Sequence, residues 1–161
     1  MTGVQTCALP IFGYAIKYRK QPETAVVAFF GDGGTSEGDF HEAMNFAGLW
    51  RVPVVFICQN NHWAISVPVA SQSSSRTLAQ KAIASDIPAL QVDGNDALAL
   101  YAATRQTLQT PRSADRTTLV VTFQGSAREL ADALMLNTFD AFGIRVYDVS
   151  DYGLQVELIP Q

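Results

Sequence analysis

The run TAVVAFF (residues 24–30), broken by Gly31-Asp32-Gly33-Gly34 and followed by SEGDFHEAMNFAGLW (residues 36–50), decides how this chain folds. The run is short, apolar and without polar alternation, which predicts a strand buried on both faces. After the glycines the period changes. Phe40, Met44, Ala47 and Trp50 fall along one helical stripe. Thr35 or Ser36 is the expected N-cap, with Glu37 and Asp39 in the first turn, where acidic groups suit the helix dipole. Strand, glycine turn and helix together make the first half of a βαβ unit.

The second half follows directly. VPVVFIC (residues 52–58) is another continuous apolar run, with Pro53 at its start, where a missing donor is tolerated. Upstream, residues 12–20 read as the end of a helix whose Lys17, Arg19 and Lys20 form a solvated basic last turn. Downstream, residues 59–75 are polar and loop-rich, and residues 77–84 suggest a short helix. Residues 89–92 suggest a third strand, and Asp93-Gly94-Asn95-Asp96 a turn and helix cap. A helix over 97–108 and a fourth strand over 118–123 complete the pattern. Strands alternating with helices at these spacings predict an α/β fold, a parallel sheet with flanking helices.

Composition narrows the class. The chain has 161 residues, 48% hydrophobic and 16% charged, with a net charge of -4. That supports one domain with a sizeable core and argues against intrinsic disorder. There is no basic excess, so no nucleic-acid partner is expected. No stretch reaches the roughly 18 apolar residues of a membrane span. Cys7 and Cys58 are too few for a disulfide scaffold or a structural zinc site, and Cys58 reads as a small buried hydrophobe. MTGVQTCALPI (residues 1–11) lacks the basic start of a secretory signal. It reads as an artefactual leader, the translation of a sequencing adapter, set aside from the fold. The domain fragment is then residues 12–124. Residues 125–161 form an α+β tail of uncertain origin, with a helix over 127–140 and a hairpin from 143–149 and 154–159.

Chemistry gathers at the glycine turn. Glycine lets a backbone approach phosphate closely, and a helix N-terminus supplies free N–H groups. The turn is neither G-x-G-x-x-G nor a P-loop, which would need Gly-Lys-Ser/Thr. Its distinguishing residue is Asp32. A carboxylate facing phosphates repels them unless a cation lies between, so Asp32 points to a divalent metal. Magnesium takes about six hard oxygen ligands. A second one is expected at the end of the neighbouring strand, where Gln59-Asn60-Asn61 stands. The alternative is that Asp32 and Asn61 are ordinary turn formers.

Gly31-Asp32-Gly33, the interval to Asn60-Asn61, and the text GDGGTSEGDFHEAMNFAGLW…VPVVFICQNNHWAISVP resemble a thiamine diphosphate-binding motif. With RTLAQKAIASDIPALQVDGNDALALYAATRQ, the resemblance over residues 12–108 is to the alpha subunit of the decarboxylating component of 2-oxo acid dehydrogenase complexes, especially the pyruvate and branched-chain enzymes. The resemblance implies magnesium held by the Asp32 and Asn61 side chains and the Trp63 carbonyl. It implies thiamine diphosphate packed on Gly31, Asp32, Gly33 and Gly34, with Ile65 near the thiazolium ring. It further implies a beta subunit completing the site in a heterotetramer, a small 2-oxo acid decarboxylated on the cofactor, and acyl transfer to the lipoyl domain of an acyltransferase. Such an enzyme is expected in a bacterial cytoplasm, or in the mitochondrial matrix of a eukaryote.

Pyruvate is the favoured substrate, with branched-chain 2-oxo acids and acetoin open. His41, in the first half of a helix, reads as structural, and His62 as a solvated loop residue. The family's later active-site histidine loop has no counterpart after residue 123, so no catalytic residue is assigned. Two other readings stand beside this one. One is a truncated or chimeric, non-catalytic remnant of the subunit. The other is a nucleotide-binding module, weakened by the absence of lysine in the glycine turn.

Overall fold

The computed structural model describes residues 4–114, 117–123, 144–147 and 155–158. In it α1 (Val4–Tyr18) leads into β1 (Val26–Gly31), a 3-10 helix (Asp32–Ser36) and α2 (Gly38–Trp50). Next come β2 (Val54–Asn60), the two-residue strands β3 (Trp63–Ala64) and β4 (Val67–Pro68), α3 (Val69–Gln72) and a second 3-10 helix (Leu78–Ser85). Then follow β5 (Ala89–Asp93), α4 (Ala97–Ala114), β6 (Thr118–Phe123), β7 (Ile144–Tyr147) and β8 (Gln155–Leu158).

Strands β1, β2, β6 and β5 lie in that order and all pair in parallel, giving the expected class. One face of the sheet carries Ala28, Phe30, Val54, Phe56, Cys58, Ala89, Leu119 and Val121. Phe40, Ala43, Met44 and Ala47 of α2 and Leu78, Ala79 and Ala82 of the second 3-10 helix seal it. The opposite face, with Val55, Ile57, Leu90, Val92 and Val120, is closed by Ala99, Leu100, Ala103 and Leu108 of α4. Asp96 caps α4: its Oδ1 accepts from the N–H groups of Leu98 at 2.9 Å and Ala99 at 3.1 Å. No helix among the described residues is long and apolar enough to cross a membrane.

Several expectations need correction. β1 is not buried on both faces, for Val27 and Phe29 are exposed, Phe29 at 56%. The strand stands at the sheet edge, and no described helix covers it on that side. Phe29→Ser is therefore expected to change the unfolding free energy measured in urea by no more than about 0.5 kcal/mol, as exposed substitutions do. A loss of several kcal/mol would mean that the side chain is covered in solution.

Most of the residues read as a leader lie in the first helix. Helix α1 starts at Val4, Pro10 is buried within it, and Leu9 packs on the core. Gly13 lies so close to β2 that a Cβ there would stand 2.7 Å from Val54. Lys17 is exposed in the last turn of α1, as expected, and also makes contacts of its own. Its Nζ donates to the carbonyls of Trp50 at 3.1 Å and Arg51 at 3.3 Å, joining α1 to the last turn of α2. The N-cap of α2 is Glu37, without a side-chain cap, because residues 32–36 coil first into a 3-10 turn. The short helix expected at residues 77–84 is also 3-10. In the tail, β7 and β8 pair antiparallel as a hairpin predicts. The helix expected over 127–140 lies outside the described residues.

Candidate functional site

Register brings the two halves of the motif to one end of the sheet. Gly31 stands beside Gln59 in the parallel β1–β2 pair, so Asp32 and Asn60-Asn61 leave adjacent strands at their carboxyl ends. Asp32 is only 3% exposed, and its Oδ2 has no hydrogen-bond partner. A buried acceptor left unpaired costs about 1–3 kcal/mol, more when charged. The turn around it is well held: the Thr35 hydroxyl donates to the Asp32 carbonyl at 2.7 Å, and the Glu37 N–H to the Gly34 carbonyl at 3.2 Å.

The glycines differ in what they permit. A Cβ on Gly31 would meet nothing within 4 Å, and one on Gly34 would make ordinary contact with Phe30. A Cβ on Gly33 would lie 2.6 Å from the Ala64 methyl, closer than carbon atoms approach. Gly33 is thus required because the β3–β4 hairpin rests on the turn.

Asn61 is exposed, and its Oδ1 accepts from the Trp63 N–H at 3.0 Å. A carbonyl oxygen has two lone pairs, so this leaves one for a further partner. Asn60, by contrast, is buried, with its Oδ1 engaged by the His62 N–H at 3.0 Å. Trp63 is 54% exposed on β3, and Ile65 is fully exposed at the hairpin tip. His62 and Ile65 both have positive φ, 69° and 57°, which is uncommon for residues with a Cβ and stores strain beside the turn. His62 is half-buried rather than solvated. His41 is exposed on α2, its ring edge-on to Phe40 at 5.2 Å.

Two residues beneath the turn complete the picture. Cys58 is wholly buried, in register with Phe30 on β1, and its thiol is pushed up to about 12 by burial, with the Asp32 carboxylate adding to the effect. Alkylation at pH 8 in a Cys7→Ser background is expected to leave Cys58 unmodified in the native chain and label it fully in urea. Rapid native labelling would show an open site. The other residue, Lys81, is half-buried on the second 3-10 helix. Its Nζ donates to the Thr35 carbonyl at 2.7 Å, and burial holds its ammonium below the usual lysine range. Sequence reading missed it. The available signal was a lysine set among the apolar positions Leu78, Ala79 and Ala82.

The residues fit a cation with oxygen ligands better than one needing nitrogen or sulfur. Among the described residues no group of three His, Cys, Asp or Glu side chains converges. What the turn offers is one orphaned carboxylate oxygen, with the Asn60-Asn61 amides at the end of the adjacent strand; oxygen donors of this kind are the hard ligands that magnesium prefers.

A sequence profile described as dehydrogenase E1 component matches residues 3–123. The chain belongs to that family. It is 51% identical over 110 residues to the pyruvate dehydrogenase E1 component subunit alpha of Acholeplasma laidlawii, covering 68% of this chain and 31% of that protein. It is 45% identical over 133 residues to the 3-methyl-2-oxobutanoate dehydrogenase subunit alpha of Mycobacterium tuberculosis, covering 81% and 36%. The E1 chain thus spans about a third of the length of these relatives. Its fold is shared with transketolase from Leishmania mexicana at a TM-score of 0.58 and 18% identity, over 74% of this chain and 18% of that one. A Mycobacterium smegmatis enzyme described as thiamin diphosphate-dependent aligns at a TM-score of 0.55 and 24% identity, over 73% and 21%. These likenesses establish the E1 fold and family.

Proposed function

We propose that this chain carries the magnesium- and diphosphate-binding half of a thiamine diphosphate site in the alpha subunit of a 2-oxo acid dehydrogenase. The orphaned Oδ2 of Asp32, buried at the carboxyl end of β1, carries the reading. Asp32 and Asn61 would hold the cation through side-chain oxygens, and Trp63 through its carbonyl. Gly33 and Gly34 would let the pyrophosphate approach the backbone without a side chain in the way. Ile65, fully exposed on its strained hairpin, would offer an apolar contact to the ring portion. When bound, the cofactor supplies the carbanion chemistry of 2-oxo acid decarboxylation. The residues of this chain bind, orient and neutralise charge.

On this reading the 2-oxo acid is pyruvate or a branched-chain relative, as the names of the similar proteins suggest. A beta subunit would supply the aminopyrimidine side of the site, and a lipoyl domain would accept the acyl group. The reading is tested by calorimetry with magnesium and thiamine diphosphate, first on this chain alone and then with a beta subunit of a similar enzyme. Saturable binding that needs both magnesium and the diphosphate supports it. Silence in both titrations would leave a non-catalytic remnant of the subunit.

A further inference from the structure

The turn that bears Asp32 contains two adjacent glycines and so has little stiffness of its own. Its shape must come from outside. On one side Ala64 presses on Gly33. From the other, two short hydrogen bonds run in series: Lys81 Nζ to the Thr35 carbonyl at 2.7 Å, and the Thr35 hydroxyl to the Asp32 carbonyl at 2.7 Å. Peptide planarity makes such a grip directional, because fixing the Thr35 carbonyl also fixes the plane it shares with the Ser36 N–H.

The base of the lysine is anchored in the core. Leu78, Ala79 and Ala82 are buried in the core. The helix ends in a left-handed Asp86, φ 54°, whose N–H reaches the Ile83 carbonyl at 3.1 Å. Gly48 of α2 lets the Ser85 backbone sit against it, where any Cβ would collide with the Ser85 carbonyl. A cation on a well-packed helix, charge-assisted and partly screened from water, therefore bonds to the glycine turn from 46 residues away.

We infer that Lys81 is a positioning residue for the metal site: by gripping the Thr35 carbonyl it holds the Asp32–Ser36 turn in the shape that presents the Asp32 carboxylate to a divalent cation. This rests on the proposed cofactor site and adds to it a residue that would touch neither metal nor diphosphate. The test measures magnesium and thiamine diphosphate affinity by calorimetry, and amide hydrogen exchange at Glu37, in the wild type, Lys81→Met and Lys81→Arg. Lys81→Met is expected to weaken binding by roughly tenfold to a hundredfold, the scale of one hydrogen bond to a charged group, and to speed Glu37 exchange. Lys81→Arg, which keeps a charged donor, is expected to recover most of both.

Unchanged affinity in Lys81→Met while the wild type binds overturns the inference and leaves the cofactor site standing. A wild type that binds nothing while Glu37 exchange still depends on Lys81 overturns the cofactor site but leaves the grip on the turn. An Arg variant as weak as the Met variant reduces Lys81 to packing. If the Met variant fails to fold, Lys81→Gln supplies the same two readings.

Discussion

Asp32→Ala is expected to abolish the response of this chain to magnesium and thiamine diphosphate, while its metal-free form melts no lower than the wild type. The two halves of that result have one cause. Asp32 Oδ2 is buried without a partner, so without metal it costs about 1–3 kcal/mol. Removing it relieves that cost and offsets the packing lost with a small side chain. With a cation bound, the same oxygen becomes a ligand, and the wild type gains about 2.7 kcal/mol at a ligand concentration of 100 Kd. Thermal midpoints read with and without magnesium and diphosphate check both halves. A variant that loses several kcal/mol without metal, beside a wild type indifferent to metal, would make Asp32 a structural turn former and end the cofactor reading.

Gly31→Ala and Gly33→Ala are expected to behave oppositely although they flank the same carboxylate. Gly31 has φ −84° and ψ 167°, a conformation open to any residue, and free space where a Cβ would go. Alanine there narrows the unfolded ensemble and should be neutral or stabilise by up to about 1 kcal/mol. At Gly33 the added methyl meets Ala64 at 2.6 Å, so the β3–β4 hairpin must lift off the turn. Overpacking of this kind costs about 1–3 kcal/mol. The lift would also carry Trp63 and Asn61 away from Asp32, so metal-dependent stabilisation should disappear with it. The double variant Gly33→Ala/Ala64→Gly restores the room and should recover most of the stability. Equal urea midpoints for the two single variants would contradict the close packing.

What the sequence reveals about this fold depends on how local the physics is. Residues 54–58 and 118–121 are legible as strands because each is a continuous apolar run, and such runs end up in the middle of a parallel sheet. Asp32 and Asn61 could be assigned to one end of the sheet because parallel strands align their carboxyl ends. The exposure of Val27 and Phe29 could not be read from their own run, since burial there depends on whether anything is laid over the edge strand. The 3-10 form of residues 32–36 was equally hidden. Two glycines allow several tight turns, and the one adopted is chosen by distant groups, Ala64 and Lys81. Residues 1–11 are set aside in the sequence for their likeness to an adapter translation, and nothing local in them signals that residues 4–11 begin α1. In the structure, Gly13 lies where α1 packs against Val52 and Val54.

The position of β6 bears on how the chain comes off the ribosome. It lies between β2 and β5, yet it is the last of the four to be synthesised. Until residues 118–123 emerge, β5 has no neighbour in the sheet and only the β1–β2 ladder can zip. The nascent polypeptide must therefore wait with both flanks of a gap exposed, and a stall or premature stop before Thr118 would release a product open to proteases and self-association.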